Sequence, residues 1–136
     1  MIPNPGELDA IIDRALAEDA VGSDVTSLSL ISASVEAKAS IVVKQSGILA
    51  GLHIAAAVFN RVNPDLKFVH RLQDGDRLTT GQSLATVSGS IASILSGERT
   101  ALNFLQRMSG IATLTDLYVS AIAGTTASIA DTRKTV

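Results

Sequence analysis

From Val35 to Lys44 the chain alternates, with apolar Val35, Ala37, Ala39, Ile41 and Val43 separated by Glu36, Lys38, Ser40, Val42 and Lys44. A repeat of two residues sends successive side chains to opposite faces, so the segment predicts a strand with one buried and one wet face. This pattern constrains the fold most, because a helix reads differently. Helical spacing lies on either side of it. Leu8, Ile11, Ile12, Ala15 and Leu16 recur at i, i+3, i+4, i+7 and i+8, which predicts an amphipathic helix over 7–18, preceded by Pro3, Pro5 and Gly6. Gly22, Ser23, Asp24 and Thr26 then suit a turn or cap.

After a turn at Gln45-Ser46-Gly47, a short strand is expected over 48–51, followed by a helix carrying Ile54, Ala55, Val58, Phe59 and Val62 and ended by Asn63-Pro64. Short strands follow over 66–72, 77–78 and 83–88, separated by Gln73-Asp74-Gly75-Asp76 and Thr80-Gly81-Gln82. Near Ser90 to Gly97 the pattern changes. Ala101, Leu102, Leu105 and Met108 have helical spacing, as do Leu114, Leu117, Tyr118, Ala121 and Ile122, and Gly110 between them predicts a break into two helices. Gly124 suits a helix end, and 128–132 reads as a strand leading into Arg133-Lys134. The order of elements is that of an α+β chain. A terminal strand must find a neighbour for its backbone groups, so the expectation is a truncated chain.

Composition narrows the chemistry. With 136 residues, 46% of them hydrophobic and 18% charged, the chain can bury a core and lies far from the composition of disordered chains. Aromatic residues make up only 3%, with no Trp, which leaves little to stack on exposed bases. A net charge of -2 without a basic block argues further against nucleic acid. The longest mostly apolar stretch, 48–59, is about 12 residues and too short to span a bilayer. The first residues lack a signal-peptide pattern, so a cytoplasmic protein is expected. No cysteine and only two histidines, His53 and His70, exclude disulfides, zinc-thiolate sites and a thiol nucleophile.

Arg133 and Lys134 stand at the end of the predicted strand, where α/β sites commonly gather their side chains. A guanidinium grips a carboxylate with two hydrogen bonds, and an ammonium supplies a point charge to a phosphate. Two solvated surface cations are the competing reading. Glu98 and Arg99 follow Ser96-Gly97, expected as a helix start with Glu98 in the first turn. Arg99, Asn103 and Gln106 share a face that suits a planar acid, a protein partner or plain solvent. Asp74 and Asp76 read as turn residues, Glu18, Asp19 and Asp24 as turn and capping residues, and the two histidines as local hydrogen-bonders. No glycine-rich phosphate fingerprint or nucleophile elbow is present.

Three ordered runs, Gly97-Glu98-Arg99-Thr100-Ala101-Leu102-Asn103, Met108-Ser109-Gly110-Ile111-Ala112-Thr113 and Asp131-Thr132-Arg133-Lys134-Thr135, resemble the signature of the quinolinate phosphoribosyltransferase family. Ala15-Leu16-Ala17-Glu18-Asp19 with Asp24-Val25-Thr26-Ser27, and Asp74-Gly75-Asp76 with Gly81, are similar to it as well. Ser23-Asp24 stands where the family opening tends to Gly-Asp. The resemblance covers nearly the whole chain, which corresponds to about the first half of a family member. It implies an N-terminal open, hammerhead-like α/β sandwich over 1–110, with helices leading into the first strand of an incomplete α/β barrel over 111–136. Homodimers or higher even-numbered assemblies with shared active sites are implied too.

By the same resemblance, Arg99 reaches a substrate carboxylate in the neighbouring subunit. Thr132 and Arg133 contact quinolinate, and Lys134 lies near the carboxylate and the phosphoribosyl phosphates. The implied reaction is attack of the pyridine nitrogen on the anomeric carbon of phosphoribosyl pyrophosphate, with loss of pyrophosphate assisted by Mg2+. Decarboxylation to nicotinate mononucleotide, a step of NAD biosynthesis, then follows. The metal ligands, a His-Arg pair and the phosphate loops are expected beyond Val136, so this chain alone is expected to be inactive. Other readings are a paralogue linked to molybdenum transport with another acceptor, a biotinyl- or lipoyl-type carrier module with Lys44 as its nearest attachment lysine, and a non-catalytic dimerisation module.

Overall fold

A computed structural model of the chain describes residues 4–22 and 35–132. Helix α1 spans Pro5–Gly22, two residues earlier at its start than the apolar pattern reaches. The reason is a reciprocal cap: the Glu7 amide donates to Asn4 Oδ1 at 2.9 Å, and the Asn4 amide donates to Glu7 Oε2 at 3.2 Å. Pro5, which has no N–H to satisfy, fits the first helical position. Ile12, wholly buried, anchors α1 in the core. Of the turn or cap expected at 22–26, Gly22 is the last residue of α1, and 23–26 lie outside the described residues.

The strands β1 (Glu36–Val42), β2 (Gly47–Ile48), β3 (Lys67–His70), β4 (Arg77–Leu78) and β5 (Ser83–Ser90) form two small open sheets. One has the order β1-β5-β3, antiparallel throughout, and the other pairs β2 with β4. Along β1 burial alternates as the sequence predicts, with Ala37, Ala39 and Ile41 turned inward. The register slips between Ile41 and Val42, opposite Ala85 and Ser83. The middle strand β5 carries the centre of the core, with Leu84, Ala85 and Val87 buried.

Helix α2 (Leu52–Val62) lays Leu52, Ala55, Val58 and Phe59 onto that core, where the Phe59 ring meets Phe68 of β3 at 5.9 Å between centroids. Helix α3 (Ile91–Ala121) follows β5 directly. Two expectations fail here. The helix begins at Ile91 rather than near Gly97, because buried Ile94 already packs in its first turn, so Glu98 lies well inside the helix. It also runs through Gly110 unbroken, since glycine weakens a helix by only about 1 kcal/mol and contacts on both sides of it hold the helix in place.

The last described stretch, 127–132, is exposed and irregular rather than a strand. Among the described residues no strand lies beside it to pair with its backbone. The architecture is thus a mixed helix and sheet fold with open sheets and helices packed over them, as expected for the α+β sandwich. No helix of the described residues is long and apolar enough to cross a membrane.

Candidate functional site

Helix α3 carries two of the three signature runs, and they do different work. In the first, Gly97 is buried against α2: a Cβ there would come within 3.1 Å of the Phe59 ring and 3.4 Å of Val62. The close approach seats α3 on α2 and leaves its neighbours Glu98 and Arg99 exposed on the other side. Thr100 and Ala101 turn back into the core, 3% and 0% exposed.

The second run is a docking seam. Ser109 Oγ accepts from the Ala50 amide at 3.0 Å and lies 3.2 Å from the Ala50 carbonyl as donor. Thr113 Oγ1 accepts from the Ile48 amide at 2.8 Å and donates to the Ser109 carbonyl at 2.7 Å. Gly47 and Gly51 face this seam, and a Cβ on either would meet Thr113 Oγ1 at 2.5 Å or Met108 Sδ at 2.7 Å. These residues place the helix and are not chemical groups of a site.

Arg99 lies in a cleft of about 480 Å³ between α1 and α3, lined by Glu18, Asp19, Arg99, Thr100, Asn103 and Arg107 among others. Its Nη1 donates to Asp19 Oδ1 at 3.1 Å, and Thr100 Oγ1 donates to Asp19 Oδ2 at 3.4 Å. Asp19 is therefore a bridge from α1 to α3, where the sequence suggested only a turn or cap. Asn103 joins Arg99 in the cleft as expected. Gln106 does not, since it lines a separate groove of about 610 Å³ beside apolar Leu105, Leu114 and Leu117. Arg107 takes its place: eight residues from Arg99 it is turned about 80° around the helix, with Asn103 midway between them, so the three line the side of α3 that faces α1. That spacing was readable, but a pattern built on i, i+4 and i+7 passed over it.

A second arginine, away from the cleft, has its Nε–Nη2 edge fully engaged. Arg61 Nε and Nη2 donate to the two oxygens of Asp13 at 2.6 and 2.7 Å, tying α2 to α1. These hydrogen bonds hold the Asp13 carboxyl below its ordinary value and raise Arg61 in turn. Asp76 behaves as the turn residue expected, accepting from the Gln73 amide. Asp74 does more, accepting from the Gly51 and Leu52 amides at 3.0 and 2.9 Å and lying 3.2 Å from His53 Nδ1. His53 is thus a local hydrogen-bonder, while His70 is exposed on β3.

Of the third run, Thr132 is exposed at the end of the described chain, and Arg133 and Lys134 lie outside the described residues. Among the described residues no three histidine, aspartate or glutamate side chains gather to hold a metal ion.

Residues 24–109 match the model of the quinolinate phosphoribosyl transferase N-terminal domain. The chain is 45% identical over 130 residues to a chloroplastic nicotinate-nucleotide pyrophosphorylase [carboxylating] of Arabidopsis thaliana, covering 95% of this chain and 37% of that protein. It is 40% identical over 136 residues to the nicotinate-nucleotide pyrophosphorylase [carboxylating] of Mycobacterium leprae (strain TN), covering 96% and 48%. The crystal structure of NadC from Streptococcus pyogenes superposes with a TM-score of 0.92 at 37% identity, over 100% of this chain and 48% of that one. The chain therefore spans about half the length, or less, of these relatives.

Proposed function

The chain belongs to the quinolinate phosphoribosyl transferase family, and from that premise we propose that it supplies the N-terminal part of an enzyme that transfers phosphoribose to quinolinate. The product of transfer and decarboxylation is nicotinate mononucleotide. The observation that carries the reading is Arg99, held at a cleft mouth with its side chain 62% exposed, inside a signature run whose Gly97, Thr100 and Ala101 pack the helix. Quinolinate bears two carboxylates, and a guanidinium offers a carboxylate two parallel hydrogen bonds. Thr132, Arg133 and Lys134 are proposed to meet the same substrate from the barrel side, and Lys134 the phosphoribosyl phosphates as well.

The chemistry asks little of this half beyond placing and neutralising anions. Mg2+, when bound, would screen the pyrophosphate leaving group, and we assign its ligands to residues outside this chain. In this reading 1–110 is the sandwich domain and 111–136 opens the barrel, so the division falls within α3. Arg99 serves the partner subunit's site in a homodimer or a higher even-numbered assembly. Both substrates are small polar anions, and we place the reaction in the cytoplasm.

Shared sites are tested by mixing two inactive variants of the complete gene product. R99A and K134A are each expected to lower turnover of quinolinate more than tenfold. Co-expressed in equal amounts they should restore about a quarter of wild-type nicotinate mononucleotide formation, because half the dimers are mixed and each of those holds one intact site. Absence of recovery, or a wild-type protein that forms no product from the two substrates, overturns the proposal.

A further inference from the structure

We infer that Asp19 is the positioning residue of Arg99, fixing the guanidinium so that its Nε–Nη2 edge stays open to a carboxylate. The inference rests on the reading of Arg99 as a substrate group. Asp19 engages Arg99 through Nη1 alone, at 3.1 Å. Nη1 lies on the far side of the guanidinium from Nε–H, so this contact leaves untouched the edge that binds carboxylates with two parallel bonds. Arg61 shows the opposite arrangement, since Asp13 occupies its Nε and Nη2 together. One arginine is spent on a tie between helices, and the other is held with its best edge unspent.

The holder is itself fixed. The Asp19 side chain is only 20% exposed, against 62% for Arg99, and its second oxygen accepts from Thr100, which is buried. Adjacent residues of α3 thus take one oxygen each, and the carboxylate cannot turn without losing one of them. Asp19 also sets a negative charge in a cleft that contains Arg107 as well as Arg99, which eases the crowding of two cations on one face.

The test uses D19N in the complete gene product. An amide keeps the shape and can still meet both neighbours, its oxygen accepting from Arg99 and its N–H donating to the Thr100 hydroxyl, but it removes the charge and so weakens the charge-assisted bond that holds the guanidinium. The Michaelis constant for quinolinate is expected to rise about tenfold with kcat and the phosphoribosyl pyrophosphate constant within about twofold. In an R99A background D19N should add nothing further, because its effect passes through Arg99. T100V, buried and of similar shape, removes the hydrogen bond to the other oxygen and should shift the quinolinate constant in the same direction by about twofold to threefold. It keeps the test decisive if D19N does not fold.

A D19N effect that persists at full size in R99A, or that raises both Michaelis constants alike, reveals a merely structural residue and overturns the inference. So does a D19N protein that binds quinolinate normally while R99A does not. If R99A itself leaves the quinolinate constant and kcat unchanged, it is the reading of the site that fails.

Discussion

Gly51 begins α2 in the left-handed region, at φ 92°, and has no side chain with which to cap the helix. Asp74 caps it instead, from a loop 22 residues further along, by accepting from the amides of Gly51 and Leu52. The loss of a side-chain cap lowers stability by about 1 kcal/mol and at most about 2, and D74A is expected to do so in urea unfolding. D74N keeps one acceptor and should lose less. An unchanged midpoint in D74A would show that water replaces the cap. Gly51 admits no such easy change, because alanine there combines a positive φ with a Cβ 2.7 Å from Met108 Sδ. G51A should destabilise by more than about 1 kcal/mol. The sequence around Asp74-Gly75-Asp76 announced a turn, and the turn is there. What it hid was the reach of one carboxylate back to a helix start, since a long-range contact leaves no periodic trace.

At the scale of elements, glycine in α3 was read as punctuation and is not. Gly110 is exposed, and a Cβ placed on it meets nothing within 4 Å. G110A is therefore expected to raise stability by about 0.4–1 kcal/mol, measurable as a higher denaturation midpoint. A loss would mean that the helix needs to bend there. Ser109 and Thr113 work in the other direction, and S109A should cost about 1–3 kcal/mol because it orphans a part-buried amide at Ala50.

Regular apolar spacing made α1, β1 and α2 legible, along with the helical character of 101–122, and the turn residues on either side marked β4. Caps escaped it, as at Asn4, and so did the partners across space, as at Asp19. The irregular path of 127–132 was illegible for a different reason. A β-prone run becomes a strand only beside another strand, and composition says nothing of neighbours. In the cleft, Arg99 and Asn103 share the face that their sequence pattern marked, Arg107 stood at a readable spacing that the pattern passed over, and Asp19 required the fold.

For the molecule as a whole, the pairing of Asp13 with Arg61 joins α1 to the sandwich at the surface. Its carboxyl is held below the ordinary carboxylate range when folded. The pair therefore stabilises the fold above the unfolded value of about 4, and the contribution fades as pH falls through the lower folded one. Thermal midpoints of wild type and D13N should differ slightly at pH 6 and converge as the pH falls well below the unfolded value, and a gap that widens in acid would contradict the assignment.

The seam of Ser109 and Thr113 grips backbone atoms of the sandwich, and Arg99 rides on the same helix ten residues earlier. A helix advances about 1.5 Å and turns about 100° with each residue, so it acts as a ruler between the seam and the guanidinium. One residue added or removed between them would swing Arg99 off Asp19 by about 100° even though every residue that makes the contacts is still present. In that stretch the count of residues is under tighter constraint than their kind.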